Sequence, residues 1–195
     1  MTTTVTRNRA ETRGMAAGAA VLAYFGLAWA GWGVSGVPAA VMIPVMVVAG
    51  LCFVALVTGT VVVFRAARTR PPGGMDRSAG RGVGWRFGLI VLAEFVVIGV
   101  VARLLAASGH EEVLPAFICL VVGLHLFPLR RLFGVAMYDV TGGALCAIAV
   151  ITVLAALLIG APVLWTALPG FAAAIVLDVT SALLLRSQWP ARDRA

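Results

Sequence analysis

The sequence contains no lysine, and only 12% of its 195 residues carry charge. A water-soluble domain has about 25% charged residues to dress its surface. So thin a layer of charge argues against a soluble fold of this length. Cysteine is sparse too. Cys52, Cys119 and Cys146 stand far apart, each inside an apolar run, with no CxxC or Cys/His spacing. That pattern argues against a zinc site or a disulfide framework and leaves the three as small apolar packing residues. Catalytic signatures are missing as well. There is no GxxxxGK[ST] phosphate loop, no GxSxG elbow and no GxGxxG entering a helix. The "HEE" of His110, Glu111 and Glu112 lacks the second histidine of HExxH. An enzyme is therefore not the expected class, and no metal or cofactor is implied.

What the chain does have is long apolar runs. Hydrophobic residues make up 62% of it, and several runs exceed the roughly 18 residues that cross a bilayer. Lipid offers the backbone no hydrogen bonds, so such runs must be helices. The sequence predicts an all-α integral membrane bundle of six transmembrane helices in a single transmembrane domain. They are expected at about 14–34, 37–64, 87–107, 113–129, 140–160 and 163–185. The second is long enough to tilt, and Pro44 gives it a place to bend. Residues 65–86 read as a basic, Pro/Gly-rich connecting loop. The first run contains "AWA" at 28–30, which resembles a signal-peptide cleavage site. It is longer than the ~7–15 residues of a signal h-region, so an uncleaved anchor is expected.

The arginines fall into an order. Arg7, Arg9 and Arg13 lie ahead of the first run. Arg65, Arg68, Arg70, Arg77, Arg81 and Arg86 lie between the second and third. Arg130 and Arg131 lie between the fourth and fifth, and Arg186, Arg192 and Arg194 follow the sixth. Only Arg103 falls elsewhere. With an even number of helices, every basic cluster falls on one side, and the positive-inside rule makes that side cytoplasmic. Both termini are then cytoplasmic, in a bacterial inner membrane. Trp29, Trp32 and Trp165 near the outer boundary, and Trp85 and Trp189 near the inner one, suit an interfacial belt. The net charge of +7 is thus spent on orientation in the bilayer, and nucleic acid is not an expected partner.

Few groups within the runs can ionise. A charge at mid-helix costs about 2.5–3.5 kcal/mol on insertion scales, so each needs a reason. Glu94 and Asp178 each lie eight residues from a flanking arginine, Arg86 and Arg186, or roughly 12 Å along the axis. His125 lies five residues before Arg130, about 7–8 Å. Tyr138 and Asp139 begin the fifth helix near the same level. These five residues make a candidate polar site in the inner half of the membrane. Gly170, Ala174, Asp178, Ser181 and Ala182 share a small-residue face, which turns Asp178 into the bundle. Glu94 is ringed by Ile90, Val91, Val97 and Ile98 and shows no such face. Pro128 is expected to kink or end the fourth helix just past His125. "LRRLF" (129–133) would then be an interfacial segment, with Leu129, Leu132 and Phe133 toward lipid. On the outer side, Arg103 is expected to pair with Glu111 or Glu112.

The run "ICLVVGLHLFPLRRLFGVAMYDVTGG" resembles a segment of small uncharacterised bacterial multi-pass membrane proteins. In these a GLHxxPL element is followed by an aromatic and a TG pair. The matching residues are Gly123, Leu124, His125, Pro128, Leu129, Phe133, Tyr138, Thr141 and Gly142. The resemblance covers about a seventh of the chain. It implies a helical membrane fold and no activity.

Two functions follow as expectations. One is a small transporter or permease-like protein with a protonatable inner-half site; a chain this short for two inverted repeats calls for a homo-oligomer. The other is a non-catalytic membrane module that binds a partner subunit or the lipid bilayer. Reporter fusions test the topology both share. Residues 75, 134 and 195 should report cytoplasmic, and 36, 110 and 161 external; a cytoplasmic residue 110 would end the six-helix reading.

Overall fold

Asn8 starts the first helix. Its side chain accepts from the Glu11 N–H at 2.9 Å, and the Glu11 carboxylate reaches back to the Asn8 N–H at 3.4 Å. This reciprocal cap satisfies two donors that a helix start leaves free. It also explains why α1 begins at Arg9 rather than at 14: hydropathy does not register a polar first turn.

The computed structural model describes residues 8–71 and 77–189. Its helices are α1 (Arg9–Gly33), α2 (Ala39–Ala66), α3 (Arg77–Ser108), α4 (Leu114–Phe133), α5 (Met137–Ile159) and α6 (Leu164–Gln188). Single 3-10 turns follow α1 and α2 and precede α4. All six helices are long and apolar enough to cross a membrane, and they fit a multi-pass membrane protein.

The expected loop over 65–86 is mostly helical. α2 runs to Ala66, a turn covers Ala67–Thr69, and α3 starts at Arg77; residues 72–76 lie outside the described residues. An exposed glycine costs a helix only about 1 kcal/mol. The apolar helix beyond can propagate back through "GRGVGWR", since extension is far easier than nucleation.

Pro128 does not end α4 either. The helix passes through it and stops at Gly134, whose left-handed backbone (φ 68) lets its N–H bond the Arg130 carbonyl at 2.8 Å. Proline removes one hydrogen bond; the turns on both sides persist. Because the helix continues, Leu129 turns into the core at 6% exposure instead of facing lipid. Leu132 packs against that core, and the Phe133 ring meets Phe87 of α3 edge-on at 5.8 Å. Trp29 likewise is buried at 5% exposure and stacked on Trp32, so it is a packing residue rather than part of an interfacial belt.

The packing is uneven. α1 and α6, α6 and α5, and α5 and α4 are neighbours in a row, with α4 also touching α6. α2 lies against α1 and α6, and α3 lies chiefly on α4. α1 and α6 run antiparallel at very short range. A β-carbon on Gly170 would strike the backbone of Gly33, and one on Gly33 would strike Phe171. Nearer the other end, the Ser181 hydroxyl donates to the Ala19 carbonyl at 2.8 Å. α4 and α5 repeat the device. The carbonyls of Gly123 and Gly142 each occupy the place where the other's β-carbon would be. Cys119 Sγ donates to the Leu145 carbonyl at 3.4 Å. Thr141 and Thr180 share a 2.8 Å hydrogen bond between α5 and α6. By contrast, none of residues 82–108 of α3 is buried.

The arginine-bearing ends all gather at one end of the bundle. Arg9 of α1 donates to the carbonyls of Arg68 and Arg70 beyond α2 at 2.8 and 3.1 Å. Arg70 in turn donates to Thr12 at 2.6 Å and to the Gln188 carbonyl at the end of α6 at 3.1 Å. Arg130 at the end of α4 meets Asp139 at the start of α5. The Phe87–Phe133 contact joins α3 to α4 at the same end.

Backbone contact at Gly170 leaves no slack, so any side chain there must push two helices apart. Gly170→Leu should lower the unfolding free energy in mixed micelles by about 1–3 kcal/mol, the usual cost of overpacking. Gly88→Leu should not, because a side chain at Gly88 meets nothing. Equal stability of the two variants would remove the close α1–α6 contact from the account.

Candidate functional site

α3 has one face that is not exposed. Val83, Ile90, Val91, Glu94, Ile98, Val101, Ala102 and Leu105 are half-buried, and they recur at helical spacing. Glu94 sits in the middle of this stripe, and α3 rests on α4. On α4, Cys119, Gly123 and Leu126 point at the core, and His125 lies beside them, half-buried. The two stripes bring the carboxyl of one and the imidazole of the other together. His125 Nδ1 lies 2.6 Å from Glu94 Oε2, with the side chains 11% and 14% exposed.

The contact is short but poorly aligned. Nδ1 is buried and makes no hydrogen bond of ordinary geometry, so a proton on it would point off the line to the carboxylate. The distance establishes the pairing; the angle shows that a small rotation is needed to complete the bond. Counting residues from the Phe87–Phe133 contact puts the pair about 10–12 Å from the arginine-rich end. Among the described residues, Nε2 of His125 has no partner, and it is not sealed from its surroundings.

A carboxyl and an imidazole in contact hold one proton between them when the pair is neutral overall. Gaining a second proton makes the pair a cation; losing the first makes it an anion. Either change is unfavourable in a low-dielectric setting unless water or a counter-charge arrives. The arrangement can therefore carry a proton, and its charge state is coupled to its solvation.

The other expected members of the site are elsewhere. Asp178 lies on α6 against α1, its carboxyl occupying the space over Gly26, with Oδ1 buried and unbonded. Tyr138 also reaches α1, its hydroxyl resting over Gly18. Gly18 and Gly26 are eight residues apart, about 12 Å, so these two groups sit at different depths. Asp139 pairs with Arg130 at 2.8 Å in a half-exposed ion pair at the bundle end. The expected five-residue cluster is thus one buried pair, one surface pair and two separate groups lying against α1. On the opposite side, Arg103 does not meet Glu111 or Glu112. Glu112 lies 3.5 Å from His110 instead, since the turn through Gly109 (φ 73) keeps these two neighbours side by side. All three residues of that expected pair are exposed, where an ion pair gains little.

Sequence reasoning missed the polar ties at the arginine-rich end. Thr12, Arg70 and Gln188 join α1, the segment after α2, and α6. The signal was available. Gln188 is the only glutamine and Asn8 the only asparagine in the sequence, and the side-chain oxygen of each accepts a hydrogen bond. Also missed was a cavity beside α2, lined by Arg13, Thr60, Val61, Phe64, Arg65 and Arg68. Among the described residues, no three His, Cys, Asp or Glu side chains gather to hold a metal.

The fold and its buried polar pair define a class: an all-helical protein fit for multiple membrane crossings. Comparison with known proteins adds nothing more particular, since no family model, no curated protein and no solved structure matches the chain.

Proposed function

We infer that this chain is a small permease-like protein of a bacterial cytoplasmic membrane, and that Glu94 and His125 are its proton-carrying pair. Its arginine-rich end and both termini face the cytoplasm, as the positive-inside rule directs. One observation supports the reading above all: a shielded carboxyl–imidazole contact lies between α4, part of the tight row, and α3, a helix held chiefly by α4.

The logic is electrostatic. A change of one proton puts a net charge on the pair at membrane depth. The cheapest relief is movement of the loosely held helix, which lets water or a charged solute reach the pair. Protonation and helix position are then linked, the minimum requirement for coupling a proton to a substrate. The unpartnered Nε2 is where a proton enters. Two copies or a partner subunit complete the pathway.

Proteoliposomes loaded with a pH-sensitive dye test the reading directly. Under an imposed potassium diffusion potential, the wild-type protein should acidify the lumen. Glu94→Gln and His125→Ala should bring that rate to the level of protein-free vesicles, while Asp139→Asn leaves it intact. Equal proton entry with wild type and both pair variants would remove the pair from any transport role.

A further inference from the structure

The arginine-rich end contains two kinds of arginine. Arg9 and Arg70 are consumed by structure, donating to Arg68, Arg70, Thr12 and Gln188. Arg13, Arg65 and Arg68 are not. Among the described residues, none of their guanidinium groups makes a hydrogen bond or ion pair within the protein. The Arg13 Nε is buried and unbonded, and its guanidinium lies over the Phe64 ring, 5.9 Å from the centroid. These three free arginines line the same cavity of about 480 Å³, together with Thr60, Val61 and Phe64. Among the described residues, no acidic side chain lines it. The nearby Glu11 carboxylate is turned back to cap its own helix.

Three cations around one hollow, with no acidic partner among the described residues, repel one another, and guanidinium groups are built to chelate phosphate oxygens. The cavity therefore calls for a polyanionic or phosphate-bearing occupant. Its size lies within the range of small-ligand sites, about 300–1,000 Å³. Its position selects among phosphates. It opens beside the last two turns of a helix long enough to span a bilayer. Val61, Val54 and Val47, spaced by seven on one face of α2, are exposed at 42%, 60% and 55%. They form an apolar track from the cavity toward mid-membrane.

We propose that the cavity formed by Arg13, Thr60, Val61, Phe64, Arg65 and Arg68 binds the headgroup phosphate of an anionic phospholipid. The arginines take the phosphate, and an acyl chain runs along the valine track. Basic pockets between transmembrane helices at the membrane surface are suited to such headgroups. The site is independent of the Glu94–His125 pair and stands or falls separately from the permease reading.

Native mass spectrometry of delipidated protein, titrated with phosphatidylglycerol or phosphatidylcholine in neutral detergent, tests the proposal. The wild type should retain one phosphatidylglycerol per chain and no phosphatidylcholine. Each arginine near an anionic lipid contributes roughly fivefold, so the triple change Arg13→Gln, Arg65→Gln and Arg68→Gln should weaken retention on the order of a hundredfold. Val61→Trp, which fills the cavity and keeps its charge, should also expel the lipid, so the test does not depend on folding of the triple variant. Arg131→Gln, an exposed arginine outside the cavity, should change nothing. Retention by the triple variant and Val61→Trp, or equal loss with Arg131→Gln, would overturn the site. Displacement by millimolar glycerol 3-phosphate or inorganic phosphate would overturn its assignment to lipid in favour of a soluble phosphate.

Discussion

Between helices in lipid there is no hydrophobic force to speak of, because lipid tails are as apolar as leucine. This bundle depends on what replaces that force: backbone pressed against backbone. Gly33 on Gly170 and Gly123 on Gly142 permit it. The approach lets short polar side chains reach across, as Ser181 reaches Ala19 and Thr141 reaches Thr180. Each contact needs small residues on both helices. Where the small residues coincide, in α1, α6, α5 and α4, the packing is tight. α2 packs on α1 chiefly near its arginine-bearing end, and along α3 the side chains mostly meet the surroundings.

That inequality gives the polar pair its setting. A histidine and a glutamate buried within the tight row would be fixed by packing from every side. Glu94 instead belongs to the least enclosed helix and His125 to an enclosed one. The pair thus does two things at once. It supplies a polar attachment for α3, and under the permease reading proposed above a proton would act on that attachment. The arginine-rich end is organised on a similar division of labour. Arg9 and Arg70 close the ends of α1, α2 and α6 on one another, and that closure leaves Arg13, Arg65 and Arg68 around a hollow.

The number and class of helices were legible because lipid imposes one requirement, a long apolar run, and the sequence meets it six times. The ends were not. α1 begins at a cap made by Asn8 and Glu11, and α4 ends at Gly134 rather than at Pro128; hydropathy reports neither. The site was legible along one axis only. Counting residues gives depth, and Glu94 and His125 do lie at similar depth. Counting does not give azimuth. α3 reads as apolar on every side, so the stripe through Ile90, Glu94 and Ile98 becomes visible only once α4 covers it. Of the small-residue face around Asp178, Gly170, Ala174 and Ser181 are buried while Ala182 is exposed, and Asp178 points at α1, away from the histidine. The face said that Asp178 turns inward without saying toward which neighbour.

The central claim is that Glu94 and His125 interact, and do not merely lie close. A double-mutant cycle measures this without reference to any substrate. Unfolding free energies in mixed micelles would be compared for the wild type, Glu94→Gln, His125→Gln and the double variant. The account predicts a coupling of about 1–2 kcal/mol, the upper range for polar contacts between helices in membranes. Effects that add to within about 0.5 kcal/mol, the behaviour of independent sites, would contradict it.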